Sequence, residues 1–313
     1  QNLNIVYSGS TNGWIPIDDQ TVADVPEDPS ANPTGIFGFG NDGGYTGVTN
    51  LVSSSGVVAS DVSAVGTARG NVAACEFGED KGIFGFGTGP SGVTNLVSNT
   101  GVVATDVSAV GTARWNPAAA TFGGDKGIFG FGNDGGAVTG VTNLVSNTGV
   151  VATDTSAVGT ARQSLAACEY SAIKDKAIFG FGYTDSTVDE TNLVTNVGVV
   201  GTDVTGVGTD RMAPAAVDYG GDKGIFAYGI TTSAVSMSNL VSNVGVVATD
   251  TTGVGTAREA LGATQYGNDK GIFGYGNPGP TAVTNLVSNA GVIATDVSGV
   301  GTARKEVGAC SWG

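Results

Sequence analysis

Apolar and polar residues alternate along short segments of this chain, and the segments recur every 45 to 49 residues. One unit contains four such segments, at residues 72–77, 82–87, 93–98 and 102–107, called segments A to D here. Short alternating runs that are rich in β-branched and aromatic residues and separated by Gly-containing turns are typical of antiparallel β-strands. The pattern therefore predicts four antiparallel strands per unit.

Six copies of one sequence carry this pattern, and residues 49–69 are the first full example. Each copy has an Asn in segment C, an Arg 19 residues later, and an aromatic residue eight residues after that Arg. A Gly-aromatic run forms segment B. Repeats of this length indicate a propeller or a solenoid. The Asn residues are Asn50, Asn95, Asn143, Asn192, Asn239 and Asn285, and the Arg residues are Arg69, Arg114, Arg162, Arg211, Arg258 and Arg304.

The two ends of the repeat region are incomplete in complementary ways. The first unit begins at segment B, and residues 307–313 form a lone segment A. Pairing these two segments completes a sixth sheet and leaves no open edge. We therefore predict an all-β, six-bladed β-propeller over residues 34–313, with four strands per blade and Trp312 close to Phe37. Residues 1–33 match no repeat and are expected to form an irregular acidic extension.

The charge of the chain limits its partners. It has 13 basic and 28 acidic residues, a net charge of −15, and only 13% charged residues in total. The six repeat Arg and five Lys in Asp-Lys pairs account for almost all basic residues, so no basic patch remains for nucleic acid or an anionic membrane. No apolar run approaches the roughly 18 residues of a membrane span. We expect neither nucleic-acid binding nor membrane insertion.

The chain has no His, which excludes Ser-His-Asp and Cys-His catalysis and imidazole-bound zinc. Each of its three Cys lies six residues after a repeat Arg, where the other units have Ala120, Val217 or Thr264. A metal or redox site is one interpretation. A buried position for a small residue is the other, and it is preferred because Ala, Val and Thr occupy it too. The three are Cys75, Cys168 and Cys310.

Loops are the next source of candidate chemistry. Since strand direction alternates, the A–B and C–D turns should share one face, the uniform face, and the B–C and D–A loops the other, the variable face. The variable face holds most of the sequence differences between units, and loops on a rigid scaffold commonly carry binding residues. Drift without selection is the alternative explanation. The candidate ligand-binding residues on the variable face are Tyr45, Trp115, Tyr183 and Asp185.

The six Arg also lie toward the variable face, each with an Asp eight residues before it in sequence. One hypothesis is a ring of anion-binding Arg around the channel. The other is a structural link between adjacent blades, formed by Arg–Asp or Arg–carbonyl contacts. The second is preferred, because Arg suits buried multidentate bonding and a part repeated six times is typical of a scaffold. The Asp residues are Asp61, Asp106, Asp154, Asp203, Asp250 and Asp296.

Three further motifs carry weaker signals. Residues 38–43 and 130–135 satisfy G-x-G-x-x-G, but no helix follows to receive a phosphate. The Asn-Asp-Gly-Gly loops could supply oxygen ligands to calcium, yet they are ordinary turn sequences and not EF-hands. The carboxylates of Asp185, Asp189 and Glu190 could serve glycoside hydrolysis, although a solvated acidic loop is the preferred interpretation. No cofactor is expected.

The order of Arg, small-residue strand, Gly-containing hairpin and Asn-Leu strand resembles the kelch-type propeller repeat over residues 34–313. The sequence motifs IFGFG, TNLVSNTGVVATD and GTAR are similar to repeats of tailed-phage virion proteins. This resemblance implies a non-enzymatic structural or host-attachment protein of a tail, fibre or capsid, in a virion or extracellular location. Its expected partners are other virion proteins, copies of itself or cell-surface glycans. A glycan-binding propeller lectin is the alternative, and a glycan hydrolase is the third hypothesis.

Overall fold

The computed structural model describes residues 5–7, 14–16, 34–63, 65–108, 110–156 and 158–312. All regular secondary structure in these residues is β-strand. A helix long and apolar enough to cross a membrane does not occur among them. Within the predicted N-terminal extension, β1 (Ile5–Tyr7) and β2 (Trp14–Pro16) pair antiparallel, and the rest of that extension lies outside the described residues.

Eighteen further strands of the described chain form six antiparallel sheets of three strands each. In each sheet the strands follow the order A, B, C. The sheets are β20 (Gly308–Trp312), β3 (Thr34–Asn41) and β4 (Tyr45–Val52); β5 (Ala73–Phe77), β6 (Lys81–Gly85) and β7 (Thr94–Val97); β8 (Ala118–Phe122), β9 (Lys126–Gly130) and β10 (Thr142–Val145); β11 (Ala166–Tyr170), β12 (Lys176–Tyr183) and β13 (Thr187–Val194); β14 (Ala215–Tyr219), β15 (Lys223–Ala227) and β16 (Ser238–Val241); β17 (Gly262–Tyr266), β18 (Lys270–Gly274) and β19 (Thr284–Val287).

Segment D is not a strand of these sheets, so the expectation of four strands per blade was wrong and the number is three. In the second unit, segment D joins segment C through isolated bridges at Val103 and Val107. The register shifts by one residue between the two bridges, and the side-chain amide of Asn95 donates to the carbonyl of Ala104 (3.1 Å). The result is a short, bulged outer edge, which disfavours pairing with a second molecule.

The two ends of the repeat region meet in the first sheet. Strand β20 pairs antiparallel with β3, and Trp312 lies opposite Thr34 in the register. Ala309, and not Trp312, lies opposite Phe37. The six sheets remain separate hydrogen-bonded units and do not form one continuous sheet. This arrangement is consistent with a β-propeller.

The first strand of each sheet contacts the first strands of two neighbouring sheets, in the order β5, β8, β11, β14, β17, β20 and back to β5. Side chains of these strands alternate between two surroundings. On β5, Ala73, Cys75 and Phe77 are buried between sheets, whereas Ala74 and Glu76 are half-buried and line a cavity among all six first strands. Because side chains of a strand alternate between its two sides, every second residue packs between sheets and the residues between them line the axis.

The predicted assignment of loops to two faces is confirmed by contacts between the loops. On the uniform face, Asn99 of a C–D turn donates to Asp80 of an A–B turn (3.2 Å). On the variable face, Trp115 of a D–A loop forms a bridge with Asn133 at the end of strand B. The variable face also carries two long B–C hairpins, β3–β4 and β12–β13, whereas the other four sheets have shorter strands there.

Candidate functional site

Each repeat Arg is buried where two adjacent sheets meet, and Arg162 shows the contacts in full. Arg162 is 0% exposed, and its guanidinium carbon lies 4.5 Å from the ring centre of Phe131 in the preceding sheet. Its Nε donates to the carbonyl of Phe181 (2.9 Å), and Nη2 donates to Oδ1 of Asn192 (2.7 Å). Because a stacked, multiply hydrogen-bonded guanidinium is a strong contact, Arg162 joins the two sheets.

The repeat Asp completes this contact mainly through hydrogen bonds. Asp203 accepts from Nδ2 of Asn192 (2.9 Å) and from Oγ1 of Thr160 (2.7 Å), whereas Nη1 of Arg162 lies 3.8 Å away. Burial alone would raise the pKa of Asp203, but these hydrogen bonds hold it below its usual value. Burial lowers the pKa of Arg162 to about 10. Both side chains are therefore charged at neutral pH.

The burial and the stacking recur around the molecule, since all six repeat Arg are at most 1% exposed and each stacks on an aromatic ring. A guanidinium without exposed surface has nothing to offer an anion from solvent. The geometry therefore favours the structural link over the anion-binding ring. The residues are Arg69, Arg114, Arg162, Arg211, Arg258 and Arg304, with Asp61, Asp106, Asp154, Asp203, Asp250 and Asp296.

Sequence reasoning missed the second aromatic residue of each Gly-aromatic run. Phe131 has a φ of 62°, packs edge-on against Phe179 of the next sheet (ring centres 5.2 Å apart) and receives the guanidinium of Arg162. A positive φ is rare for a bulky residue and is kept only where its surroundings fix it. The repeated aromatic-Gly-aromatic spacing was the signal for this role. The equivalent residues are Phe39, Phe86, Phe131, Phe181, Tyr228 and Tyr275.

The four candidate binding residues of the variable face are distributed over three sheets. Tyr45, at the start of β4, is 49% exposed. Trp115 and Tyr183 are half-buried, and Asp185 is exposed in the β12–β13 turn. None of the four lines the axial cavity. The structure therefore does not bring them together in one site.

The acidic hairpin of the fourth sheet also spreads its carboxylates. Asp185 is exposed, while Asp189 and Glu190 are half-buried. Burial, together with the charges of Asp210 and Glu190, raises the pKa of Asp189. Within the described part of the chain, no group of three or more Cys, Asp or Glu residues is placed to hold a metal ion.

The three Cys residues are free and buried. Each lies on the first strand of a sheet, and its sulfur packs against a Gly of the following sheet: Cys75 against Gly127, Cys168 against Gly224 and Cys310 against Gly82. The equivalent positions of the other units are equally buried; they hold Ala120, Val217 and Thr264. These positions are thus part of the packing between sheets.

A ring of polar side chains surrounds the axis near the uniform face, and sequence reasoning missed it. Its members lie on the six first strands, each one residue before the aromatic residue that follows a repeat Arg. They line a cavity of ≈ 90 Å³ whose next layer consists of six Ala side chains. The ring residues are Glu76, Thr121, Glu169, Asp218, Gln265 and Ser311.

One lysine lies among the carboxylates of this axial ring. Nζ of Lys174 is 3.3 Å from Oδ2 of Asp218 and 3.7 Å from Oε1 of Glu169, and Gln265 also donates to Asp218. Burial raises the pKa of Glu76 to about 8, and burial together with the charge of Asp218 raises that of Glu169 well above its usual value. Burial acts to lower the pKa of Lys174, but the two carboxylates beside it raise it overall.

The other end of the axis is surrounded by backbone. The residue two positions after each repeat Arg has a φ between 51° and 60° and donates its N–H to the carbonyl of its counterpart in the preceding unit (2.7–3.2 Å). These six hydrogen bonds run around the axis and return to their start, because Asn71 donates to Glu306. The residues are Asn71, Asn116, Ser164, Ala213, Ala260 and Glu306.

The geometry thus provides two regions where chemistry or binding can be sought: the loops of the variable face and the axial ring near the uniform face. The first presents exposed aromatic and acidic side chains, and the second presents three carboxyl groups around a small cavity. Comparison of the chain with protein-family models gives no match, and comparison with curated proteins gives none either.

Proposed function

We propose that the chain is a ring-closed, six-bladed β-propeller of the kelch type that serves as a non-enzymatic structural and adhesion module of a virion. Three observations support the closed ring. The first strands contact one another in cyclic order, β20 pairs with β3, and the backbone hydrogen bonds around the axis return to Asn71. A closed ring whose sheets have only short, bulged outer edges is a rigid platform for loops, and function on such a platform is carried by the loops.

The observation that carries the proposal is the difference between the two faces. On the uniform face, the Asp of an A–B turn accepts a hydrogen bond from the Asn of a C–D turn in four of the sheets (3.0–3.2 Å). A surface with such a regular repeat suits attachment to other virion proteins or to a second copy of the chain. The variable face, with its two long hairpins and exposed Tyr45, then faces outward for host attachment.

The composition and the repeat motifs add support for a virion or extracellular location. Charged residues are only 13% of the chain, and the net charge of −15 leaves no basic patch for nucleic acid. The sequence motifs of the six repeats resemble those of tailed-phage virion proteins. A module that is displayed on a particle needs stability and specific loops, and it needs no catalytic constellation.

Mass spectrometry of purified virus particles tests this proposal. We expect the chain in intact particles at a copy number typical of a structural component. We also expect that antibodies against the β3–β4 and β12–β13 hairpins block attachment of the particles to host cells. Absence of the chain from purified particles would contradict the proposal.

A glycan-binding lectin is the second candidate, and the exposed ring of Tyr45 favours it. An exposed aromatic ring beside amide and carboxylate groups suits stacking on a sugar, and Asn41 and Asp42 lie in the same hairpin. A glycan array with the intact protein and a Tyr45→Ala variant decides this. Binding that the variant loses supports a lectin, and a negative result across a broad array rejects it.

A further inference from the structure

Lys174 differs from the other lysines of the described chain in where its ammonium group lies. In four A–B turns, the Lys that begins strand B pairs with the Asp directly before it in sequence. Nζ of Lys174 instead lies 3.3 Å from Oδ2 of Asp218 on β14 and 3.7 Å from Oε1 of Glu169 on β11. A lysine, an aspartate and a glutamate from two adjacent sheets therefore meet at one point.

The turn that carries Lys174 is held in place by its backbone. It is two residues longer than the other A–B turns, and hydrogen bonds attach it to the turn on either side. Ser171 donates its N–H to the carbonyl of Asp222 (3.0 Å), and Gly123 donates its N–H to the carbonyl of Asp175 (2.9 Å). The ammonium group is thus presented to its carboxyl partners from an anchored position, which favours a reaction between them.

Asp218 is surrounded by groups that polarise its carboxyl. Gln265 donates to its Oδ2, and Glu169 shares a hydrogen bond with it. Burial, the charge of Asp218 and this hydrogen bond raise the pKa of Glu169, so Glu169 keeps a proton that it can donate. The side chains of Glu169 and Asp218 are each 13% exposed, and that of Lys174 is 34% exposed. The carboxyls are therefore shielded, while the lysine side leaves a path for water to depart.

We propose that Lys174 and Asp218 condense to an isopeptide bond between the fourth and fifth sheets, with Glu169 as the proton carrier. The ammonium first gives a proton to the carboxylate, and the uncharged nitrogen attacks Cγ of Asp218 to form the N–C bond. Glu169 donates a proton to the departing oxygen and takes one from the nitrogen. The C–O bond then breaks and water leaves. One ammonium and one carboxylate become one amide and one water, so no other reactant is needed.

Two features of the site favour this condensation. The reacting groups are in contact within one molecule, which removes the entropic cost of bringing them together. An ion pair held away from water is also weakly stabilised relative to an uncharged product. The Asp125–Lys126 pair lies at the surface and its members are adjacent in sequence, so it serves as the internal control. The bond forms once per chain without turnover and is independent of the proposed virion role.

Intact-mass spectrometry of the denatured full chain tests the proposal. We expect a mass below the calculated value by one water molecule. Trypsin should then release residues 163–176 joined to residues 212–223, because cleavage after a modified Lys174 is blocked, while peptides from the Asp125–Lys126 turn stay linear. Lys174→Arg keeps the positive charge and should have its full calculated mass. Glu169→Gln should form the bond about a hundredfold more slowly or slower still.

The mass of the parent chain decides the proposal even where a variant fails to fold. A full calculated mass would overturn it, and so would a loss of water that maps to Glu169 or persists in Lys174→Arg. Denaturing electrophoresis gives a second readout. The parent should migrate faster than Lys174→Arg, because the bond closes a loop between positions 44 residues apart. Equal migration would count against the bond.

Discussion

The fit between neighbouring sheets can be tested at one pair of residues, Gly127 and Cys75. A Cβ atom added to Gly127 would lie 2.5 Å from the sulfur of Cys75 and 3.3 Å from Cβ of Val145. The equivalent position in the next sheet is Ala177, and there the residue at the Cys75 position is Ala120, in the same core cluster. The two interfaces therefore fill the same space with different side-chain pairs. A cysteine packs against a glycine in one, and an alanine packs against an alanine in the other.

The magnitudes follow from this geometry. Gly127→Ala inserts a methyl group where no space exists, and overpacking of this kind costs about 1–3 kcal/mol. Cys75→Ala removes one buried atom and should cost about 1 kcal/mol. The double variant recreates the alanine pair found at Ala120 and Ala177. It should be more stable than Gly127→Ala alone, with a coupling of about 1–2 kcal/mol.

Urea unfolding followed by tryptophan fluorescence gives the four free energies of this double-mutant cycle. Gly44→Ala is the matched control, because an added Cβ at Gly44 contacts nothing within 4 Å and should change stability by less than about 0.5 kcal/mol. Additive effects of the two substitutions at Gly127 and Cys75 would refute the argument that the sheets fit by complementary volumes.

Two further outcomes are expected. Arg162→Lys keeps the charge but loses the stacking on Phe131 and the multiple hydrogen bonds of the guanidinium. The free energy of unfolding in urea titrations should therefore fall by about 2–4 kcal/mol. A loss below about 0.5 kcal/mol would contradict the structural link. Glu76 should make the protein less stable as pH rises. Its pKa is about 8 in the folded state and about 4.5 in the unfolded state, so between these pH values the carboxyl ionises more readily in the unfolded state, which opposes folding. Unfolding measured from pH 4 to 9 should show a slope of up to about 1.4 kcal/mol per pH unit that Glu76→Gln reduces, and an unchanged slope would argue against this assignment.

Segments A to C could be predicted because alternation and Gly-containing turns act locally, and the structure places strands within one or two residues of them. Segment D has the same alternation, yet it does not form a regular strand. Its pairing is interrupted by the side chain of Asn95, which supplies the donor for Ala104. That competition comes from a residue of segment C, and no pattern within residues 102–107 reports it.

The axial ring was outside the reach of sequence reasoning for a different reason. On β5, Ala73 faces the neighbouring sheet and Ala74 faces the axis, so composition does not distinguish the two sides of the strand. Glu76 therefore could not be assigned to a cavity. Similarly, the insertion at residues 171–175 was visible in the sequence, but its contact with Asp218 depends on how two sheets are placed.

A circular permutant tests the central claim, that six equivalent sheets surround one axis and β20 completes the first. In β8–β9, Gly123-Gly124-Asp125 joins Phe122 to Lys126, and Trp312 and Thr34 occupy the same paired positions in β20–β3. The permutant joins Trp312 to Thr34 through Gly-Gly-Asp and opens the chain between Gly123 and Gly124.

The measurement is the free energy of unfolding of this permutant, compared with a control that lacks only residues 1–33. If the two paired ends belong to a sheet like the other five, the permutant should fold and match the control within about 1 kcal/mol, because it exchanges one A–B turn for an equivalent one. A permutant that fails to fold while the control folds would contradict the account.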